Sequence, residues 1–257
     1  MNKCILILLF VLALSGTTMS QNIRKSDRFE NKKVYAGLKL GANLPRMYYS
    51  NRNLSDLPHD LMVGPSFGLF VEFPLHRMFS LAAEFNWQKR GGATSYTYEK
   101  EYHVSYKLES YYTSLRIPLY CYFPISQSSA PYLCLGLDAG YSIGGSVSLS
   151  QPGLDISDVN MNLNDKNYNP LYIGALIGVG MRHNLKTDNF IWILKWDVAL
   201  NWDFLDTFSD SEHNETAVPA NVNAYNHQGT QMSRGLEAHI SIGFIHQEDM
   251  SACRTFE

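Results

Sequence analysis

The stretch WILKWDVALNW, residues 192–202, alternates between apolar and polar side chains along its length. An extended chain places successive side chains on opposite faces, so one face is apolar and the other carries Lys195 and Asp197. A soluble sheet turns its apolar face inward, whereas a membrane barrel turns it toward lipid. Trp192 and Trp202 are ten residues apart, which is ~33 Å along a strand at ~3.3 Å per residue. A tilt of ~40° reduces this to ~25 Å, the height of the apolar band of a membrane barrel.

The same alternation recurs in seven other segments, which are residues 34–43, 64–73, 79–88, 115–123, 132–143, 171–182 and 236–244. One face of these segments is almost entirely apolar, while the other holds glycines and charged residues. Eight strands enclose an interior just wide enough for side chains, and inward glycines fit that space better than Phe and Trp. We therefore predict an all-β fold, an eight-stranded antiparallel up-and-down transmembrane β-barrel with a lipid-facing apolar exterior and a polar, filled lumen. Pro118 predicts a β-bulge in its strand.

The polar faces supply a set of ionisable side chains that we expect to meet in the lumen. They are Lys39, Glu72, Glu84, Arg116, Asp138, Arg182, Lys195, Asp197 and Glu237. Four positive and five negative groups either pair as an ionic plug or line a selective pore. Unpaired charges in a narrow lumen would be costly, which favours the plug.

The links between the strands alternate between short and long. The short ones are residues 74–78, 124–130 and 183–189, and the long ones are 45–61, 89–111, 144–170 and 205–231. Outer-membrane barrels have short periplasmic turns and longer extracellular loops. This pattern predicts that both termini lie in the periplasm.

The second long link is rich in tyrosine with strand-like alternation, which predicts a hairpin that projects beyond the membrane. Its candidate partner-binding residues are Tyr96, Tyr98, Tyr102 and Tyr106. Tyrosine gives a large contact area at low entropic cost, which suits a protein or glycan partner. The alternative is a tyrosine-rich extension of the interfacial aromatic girdle.

The ends of the chain predict its destination and domain limits. Residues 1–20 combine Lys3, an apolar run and small residues, a pattern typical of a cleaved signal peptide. We expect a short periplasmic segment at 21–32, the barrel at 33–246, a periplasmic tail at 247–257, and location in the bacterial outer membrane. The net charge of −3 gives no support to a nucleic-acid partner.

Five motifs in order resemble the PorT-like outer-membrane β-barrel proteins. They are GLKLGANL (37–44), GPSFGLFVEFPL (64–75), FSLAAEFNWQKRGG (79–92), LRIPLYCYF (115–123) and PYLCLGLDAGYSI (131–143). The resemblance covers nearly the whole mature chain and implies the same barrel architecture. The founding member of that family is associated with type IX secretion, so the resemblance makes envelope assembly or type IX secretion a candidate process.

Three functions remain open: a non-enzymatic barrel whose loops bind a protein or glycan partner, a narrow porin-like channel, and a membrane-embedded hydrolase. The hydrolase would use Glu237, His239 and Ser241, which share one face of the last strand. Residues spaced by two lie in a row, ~6.6 Å apart, which is not the geometry of a triad. We expect the first function, with outer-membrane lipid as the other partner.

An acidic segment near the last long link is a candidate calcium site. Its acidic residues are Asp203, Asp206, Asp210, Glu212 and Glu215. It lacks the spaced ligands and the glycine of a dedicated calcium loop, which favours a solvated acidic loop. No metal or other cofactor is therefore predicted.

Overall fold

The computed structural model describes residues 33–49, 59–60, 62–98, 102–150, 159–162, 170–187, 190–205 and 231–246. These residues contain ten strands. They are β1 (Tyr35–Tyr49), β2 (His59–Asp60), β3 (Gly64–Pro74), β4 (Phe79–Tyr98), β5 (Tyr102–Tyr122), β6 (Ser129–Ser150), β7 (Val159–Asn162), β8 (Leu171–Lys186), β9 (Phe190–Asp203) and β10 (Gln231–His246). None of these described residues forms a helix long and apolar enough to cross a membrane.

The eight long strands form a closed antiparallel barrel in which each strand pairs with the next long strand along the chain. The barrel closes where β1 pairs with β10, from Ala36 opposite Phe244 to Tyr49 opposite Gln231. This confirms the predicted up-and-down topology. The two short strands lie in the long links, where β2 pairs with β4 and β7 pairs with β6.

Side chains on the two faces of the barrel follow the period of two that the sequence predicts. In β1, Leu38 and Leu40 are 59% and 64% exposed, whereas Lys39 between them is 4% exposed. The same alternation runs along β3, β8 and β9. An exterior of exposed Leu, Ile, Phe and Trp around a polar interior is the arrangement that a bilayer requires.

The predicted bulge at Pro118 is wrong. Pro118 lies opposite Gly136 in the same register as its neighbours. Proline has no N–H to donate, and the β4–β5 ladder resumes in the same register on either side of it. The register shift in the β5–β6 pair lies instead between Tyr111 and Tyr112. Gly144 lies opposite that point with a φ of 151°, a conformation that glycine adopts readily.

The strands on one side of the barrel are longer than predicted. Residues 89–111, predicted as a loop, lie largely within β4 and β5, which stay paired from Phe79 opposite Cys121 to Tyr98 opposite Tyr102. The hairpin predicted there is confirmed, while the loop limits are wrong. β6 likewise continues to Ser150. We call this side, which carries β2, β7 and the long hairpin, the loop end. The opposite side, which carries the three short turns, is the turn end.

Residues 1–32 and 247–257, which include the predicted signal peptide and both periplasmic segments, lie outside the described residues.

Candidate functional site

The lumen holds all nine ionisable residues that the sequence analysis assigned to it. Each of these side chains is buried, with at most 4% of its residue surface exposed. Residues two apart on a strand are separated by ~6.6 Å along the strand, which is ~5 Å along the barrel axis at ~40° tilt. The nine groups therefore occupy successive layers from the turn end toward the loop end.

The layer nearest the turn end is organised around the carboxylate of Glu72. The Tyr35 hydroxyl donates to Oε2 at 2.5 Å, and the Tyr122 hydroxyl donates to Oε1 at 2.7 Å. Lys195 Nζ donates to Oε2 at 2.8 Å, and Arg182 Nη1 lies 3.7 Å from Oε1. Two phenols and two cations thus surround one buried carboxylate, so its charge is balanced and its lone pairs are used.

The middle layer contains two further acidic centres. Lys39 Nζ lies 3.0 Å from Glu84 Oε2, and the Tyr120 hydroxyl donates to the other oxygen at 2.6 Å. The Asp197 carboxylate lies 3.0 Å from His239 Nδ1. These contacts join β1 to β4 and β9 to β10, so they link the wall of the barrel from the inside.

Arg116 forms the next layer and contacts two carboxylates at once. Its Nη2 donates to Asp138 Oδ2 at 2.8 Å, while Nη1 and Nη2 donate to the two oxygens of Glu237 at 2.8 and 3.2 Å. Asn201 Nδ2 donates to both carboxylates, at 3.2 Å to Asp138 and 3.0 Å to Glu237. The fork to Glu237 is the bidentate geometry in which Arg–carboxylate pairs are strongest.

A further layer closer to the loop end was missed by the sequence analysis. Arg90 Nη1 donates to Asp203 Oδ1 at 2.8 Å, and its guanidinium lies 4.1 Å from the centre of the Tyr172 ring. Gln88 Nε2 donates to the Tyr172 hydroxyl at 2.7 Å. Arg90 lies in the segment 89–111 that the sequence predicts as a loop, and Asp203 lies in the acidic segment. Extending the inward phase of β4 and β9 by one step beyond Gln88 and Asn201 would have identified both.

This pairing weakens the calcium hypothesis. Asp203, one of its five acidic residues, is buried and paired with Arg90. The other acidic residues of that segment, at 206–215, lie outside the described residues. Among the residues that the structure does describe, no group of three or more His, Cys, Asp or Glu side chains is placed to hold a metal ion.

Between the Arg116 and Arg90 layers, several buried oxygen atoms have no hydrogen-bond partner among the residues that the structure describes. They are Asn43 Oδ1, Asn86 Oδ1, Gln88 Oε1, Asp138 Oδ1 and Asn201 Oδ1. Glycine keeps space open here, since a Cβ at Gly68 would collide with Asn86 Oδ1. Buried polar atoms in native proteins are hydrogen-bonded to protein or to ordered water. This level has the polar lining that ordered water requires.

The three residues of the hydrolase hypothesis do not form a triad. Glu237 is held by Arg116, and both ring nitrogens of His239 lie beside carboxylates: Nδ1 is 3.0 Å from Asp197, and Nε2 is 3.7 Å from Glu237. Ser241 follows His239 by two positions on β10. His239 is also buried in the middle of the lumen, with 3% of its surface exposed. The geometry explains these residues as part of the ionic core.

The four tyrosines of the partner-binding hypothesis lie on the backbone of the long hairpin. Tyr98 is opposite Tyr102, Tyr96 is opposite Val104, and Tyr106 is opposite Thr94. Their side chains lie outside the described part of the chain. The tyrosine surface therefore stays a prediction.

Comparison with known proteins gives one family match. The model of the outer membrane protein beta-barrel domain family matches residues 19–209, which is well over half of the chain. No curated protein matches the chain.

Several solved structures are similar to this chain at low identity. The Neisserial surface protein A structure is 15% identical, with 82% of this chain and 99% of that chain covered and a TM-score of 0.39. The attachment invasion locus protein Ail of Yersinia pestis is 12% identical, with 82% and 98% covered and a TM-score of 0.35. The outer membrane protease OmpT of Escherichia coli is 10% identical, with 90% and 100% covered and a TM-score of 0.38.

Proposed function

The chain belongs to the outer membrane protein beta-barrel domain family and is a bacterial outer-membrane barrel embedded in lipid, and from this we propose that it is a non-enzymatic anchor. In this proposal the barrel is a solid, lipid-embedded base. Its loop end, facing the cell exterior, binds a protein or glycan partner.

The observation that carries the proposal is the series of buried ion pairs along the lumen. Lys195 reaches Glu72 from β9 to β3, Lys39 reaches Glu84 from β1 to β4, and Arg116 reaches Glu237 from β5 to β10. An ion moving along the axis would have to separate such pairs one after another. Breaking a buried pair costs about 3–5 kcal/mol. The paired charges in the lumen therefore support a rigid base better than they support ion permeation.

The shape of the loop end also supports partner binding. β4 alone spans 20 residues, or about 50 Å along the barrel axis at ~3.3 Å per residue and ~40° tilt. The apolar band is only ~25 Å high. β4, β5 and β6 therefore continue beyond it as a sheet edged by β2 and β7, and the tyrosine-rich tip of the hairpin lies at its far end.

The process that this anchor serves is part of the proposal. The resemblance to PorT-like proteins in five ordered motifs supports envelope assembly or type IX secretion. A second candidate function is a narrow channel, which the level of buried amide oxygens favours because such atoms hold water. The ion pairs on either side of that level oppose it.

Crosslinking in the native envelope tests partner binding directly. In one variant, Gly92–Leu108 is replaced by a two-residue turn, which keeps the pairing of Gly91 with Glu109. We expect this variant to fold and reach the outer membrane, and to lose the crosslinked partner that the full chain captures. The control inserts two residues between His76 and Arg77 in the turn end and should keep the partner. Retention of the partner by the shortened hairpin would contradict the proposal.

A further inference from the structure

The lipid-facing surface at the loop end carries an aromatic row capped by charge. Phe67 stacks on Trp87 with ring centres 4.6 Å apart, and Trp87 stacks on Tyr111 at 5.5 Å. Directly beyond the row, Lys89 and Lys107 flank Glu109. We call these six residues the rim patch. Its aromatic part has the composition of an interfacial girdle, where apolar rings meet lipid headgroups.

The two lysines of the rim patch converge on one atom. Lys89 Nζ lies 2.8 Å and Lys107 Nζ lies 2.7 Å from the same oxygen, Oε1 of Glu109. Burial would raise the pKa of the Glu109 carboxyl, but hydrogen bonds from Lys107 and Lys89 outweigh it and lower that pKa. The carboxylate is therefore ionised. The rim patch carries two positive charges and one negative charge, and each ammonium keeps further N–H donors.

The charged groups lie on both sides of the outer edge of the headgroup region. Lys89 follows Trp87 by two residues, and Glu109 lies opposite Gly91, four residues beyond Trp87. At ~3.3 Å per residue and ~40° tilt, these positions lie about 5 and 10 Å beyond the aromatic row. The headgroup layer begins at the edge of the hydrocarbon and is ~5–7 Å thick. Lys89 therefore lies within that layer, and Lys107 reaches back toward it from the far side of Glu109.

We propose that the rim patch binds the phosphate of a lipid headgroup, with Lys89 and Lys107 donating to the phosphate oxygens and the aromatic row packing against the rest of the lipid. Without lipid, Glu109 draws the two ammonium groups together, and a bound phosphate competes with its carboxylate for their N–H donors. In the proposed orientation, the bound lipid belongs to the outer leaflet. Each lysine at this depth should raise the affinity for an anionic lipid about fivefold.

The substitution Glu109→Gln distinguishes a phosphate site from a simple surface salt bridge. If the lysines only bridge to Glu109 and the lipid binds elsewhere, then Glu109→Gln releases them and leaves lipid binding unchanged. If they bind phosphate, the same substitution raises the net charge of the rim patch and strengthens binding. The sign of the Glu109→Gln effect is therefore the decisive reading.

The test uses the full-length barrel in nonionic detergent, titrated with diphosphoryl lipid A and followed by native mass spectrometry. Lys89→Gln with Lys107→Gln should weaken binding about 25-fold, and Glu109→Gln should strengthen it about fivefold. Lys186→Gln, at the exposed turn end, is the matched control and should bind like the wild type. A heat-dependent gel shift confirms that each variant is folded.

Two further arms identify the ligand. The same lipid with both phosphates removed should bind the wild type as weakly as intact lipid binds the double variant. Inorganic phosphate in excess should leave the bound lipid in place, because it makes no contact with the aromatic row. Weaker binding by Glu109→Gln, equal losses in Lys186→Gln, undiminished binding of the dephosphorylated lipid, or displacement by inorganic phosphate would each overturn the proposal.

Discussion

Replacing Arg116 by Met tests how the lumen is stabilised. The substitution keeps most of the side-chain volume and removes the donors that contact Asp138 and Glu237 at 2.8 Å each. Those two carboxylates are 0% and 1% exposed, so each would lose its main counter-charge without access to bulk water. Loss of one partner of a buried pair costs about 3–5 kcal/mol. We expect the free energy of unfolding to fall by ~4 kcal/mol, roughly a thousandfold in the unfolding equilibrium constant.

The assay is urea unfolding of the barrel in lipid vesicles, followed by tryptophan fluorescence and by gel mobility. A triple variant, Arg116→Met with Asp138→Asn and Glu237→Gln, should recover about half of the loss because it leaves no unpaired charge. The control Lys186→Met, at an exposed site, should stay within ~0.5 kcal/mol of the wild type. A loss for Arg116→Met no larger than that control, or a triple variant less stable than the single one, would refute the reasoning.

Three other predictions follow from the same structure. Val198→Arg, on the lipid face midway along β9, should cost ~2–4 kcal/mol of unfolding free energy in vesicles. Lys195→Arg, on the lumen face, should cost much less. The reverse order would show that the lipid and lumen faces of β9 are assigned the wrong way round. Gln88→Leu removes the donor to the Tyr172 hydroxyl and should cost ~1 kcal/mol. Asn86→Leu removes two polar atoms that have no partner within the described part of the chain, and it should cost less in the same titration. The native protein should run faster on an unheated detergent gel than after boiling, and identical mobility would argue against a closed barrel.

The strand faces were predictable from the sequence because lipid and lumen impose opposite demands at every second residue. Leu38 and Lys39 could be assigned to opposite sides without knowing which residues lie beside them in the folded barrel. The lengths of the strands were not predictable in this way. The apolar signal stops where lipid stops, whereas backbone pairing continues through Tyr98 and Tyr102 without requiring apolar side chains.

The pairing of the lumen charges depends on register and could not be predicted from the alternation alone. Arg116 and Asp138 meet because they lie opposite each other in the β5–β6 pair. Arg116 reaches Glu237 across the interior, from strands that are not neighbours. The Pro118 bulge failed for a related reason, because a missing N–H interrupts a ladder without adding a residue to it.

Single-channel recording in a planar bilayer tests the central claim, that ion pairs close the lumen, most directly. The purified full-length barrel should give no stable openings, and Glu84→Gln, which neutralises the partner of Lys39, should lower the stability of the barrel without creating a conducting state. Sustained, ion-selective openings of the wild type, with a selectivity that Glu84→Gln changes while unfolding stability stays the same, would contradict the account and show that the charges line a pore.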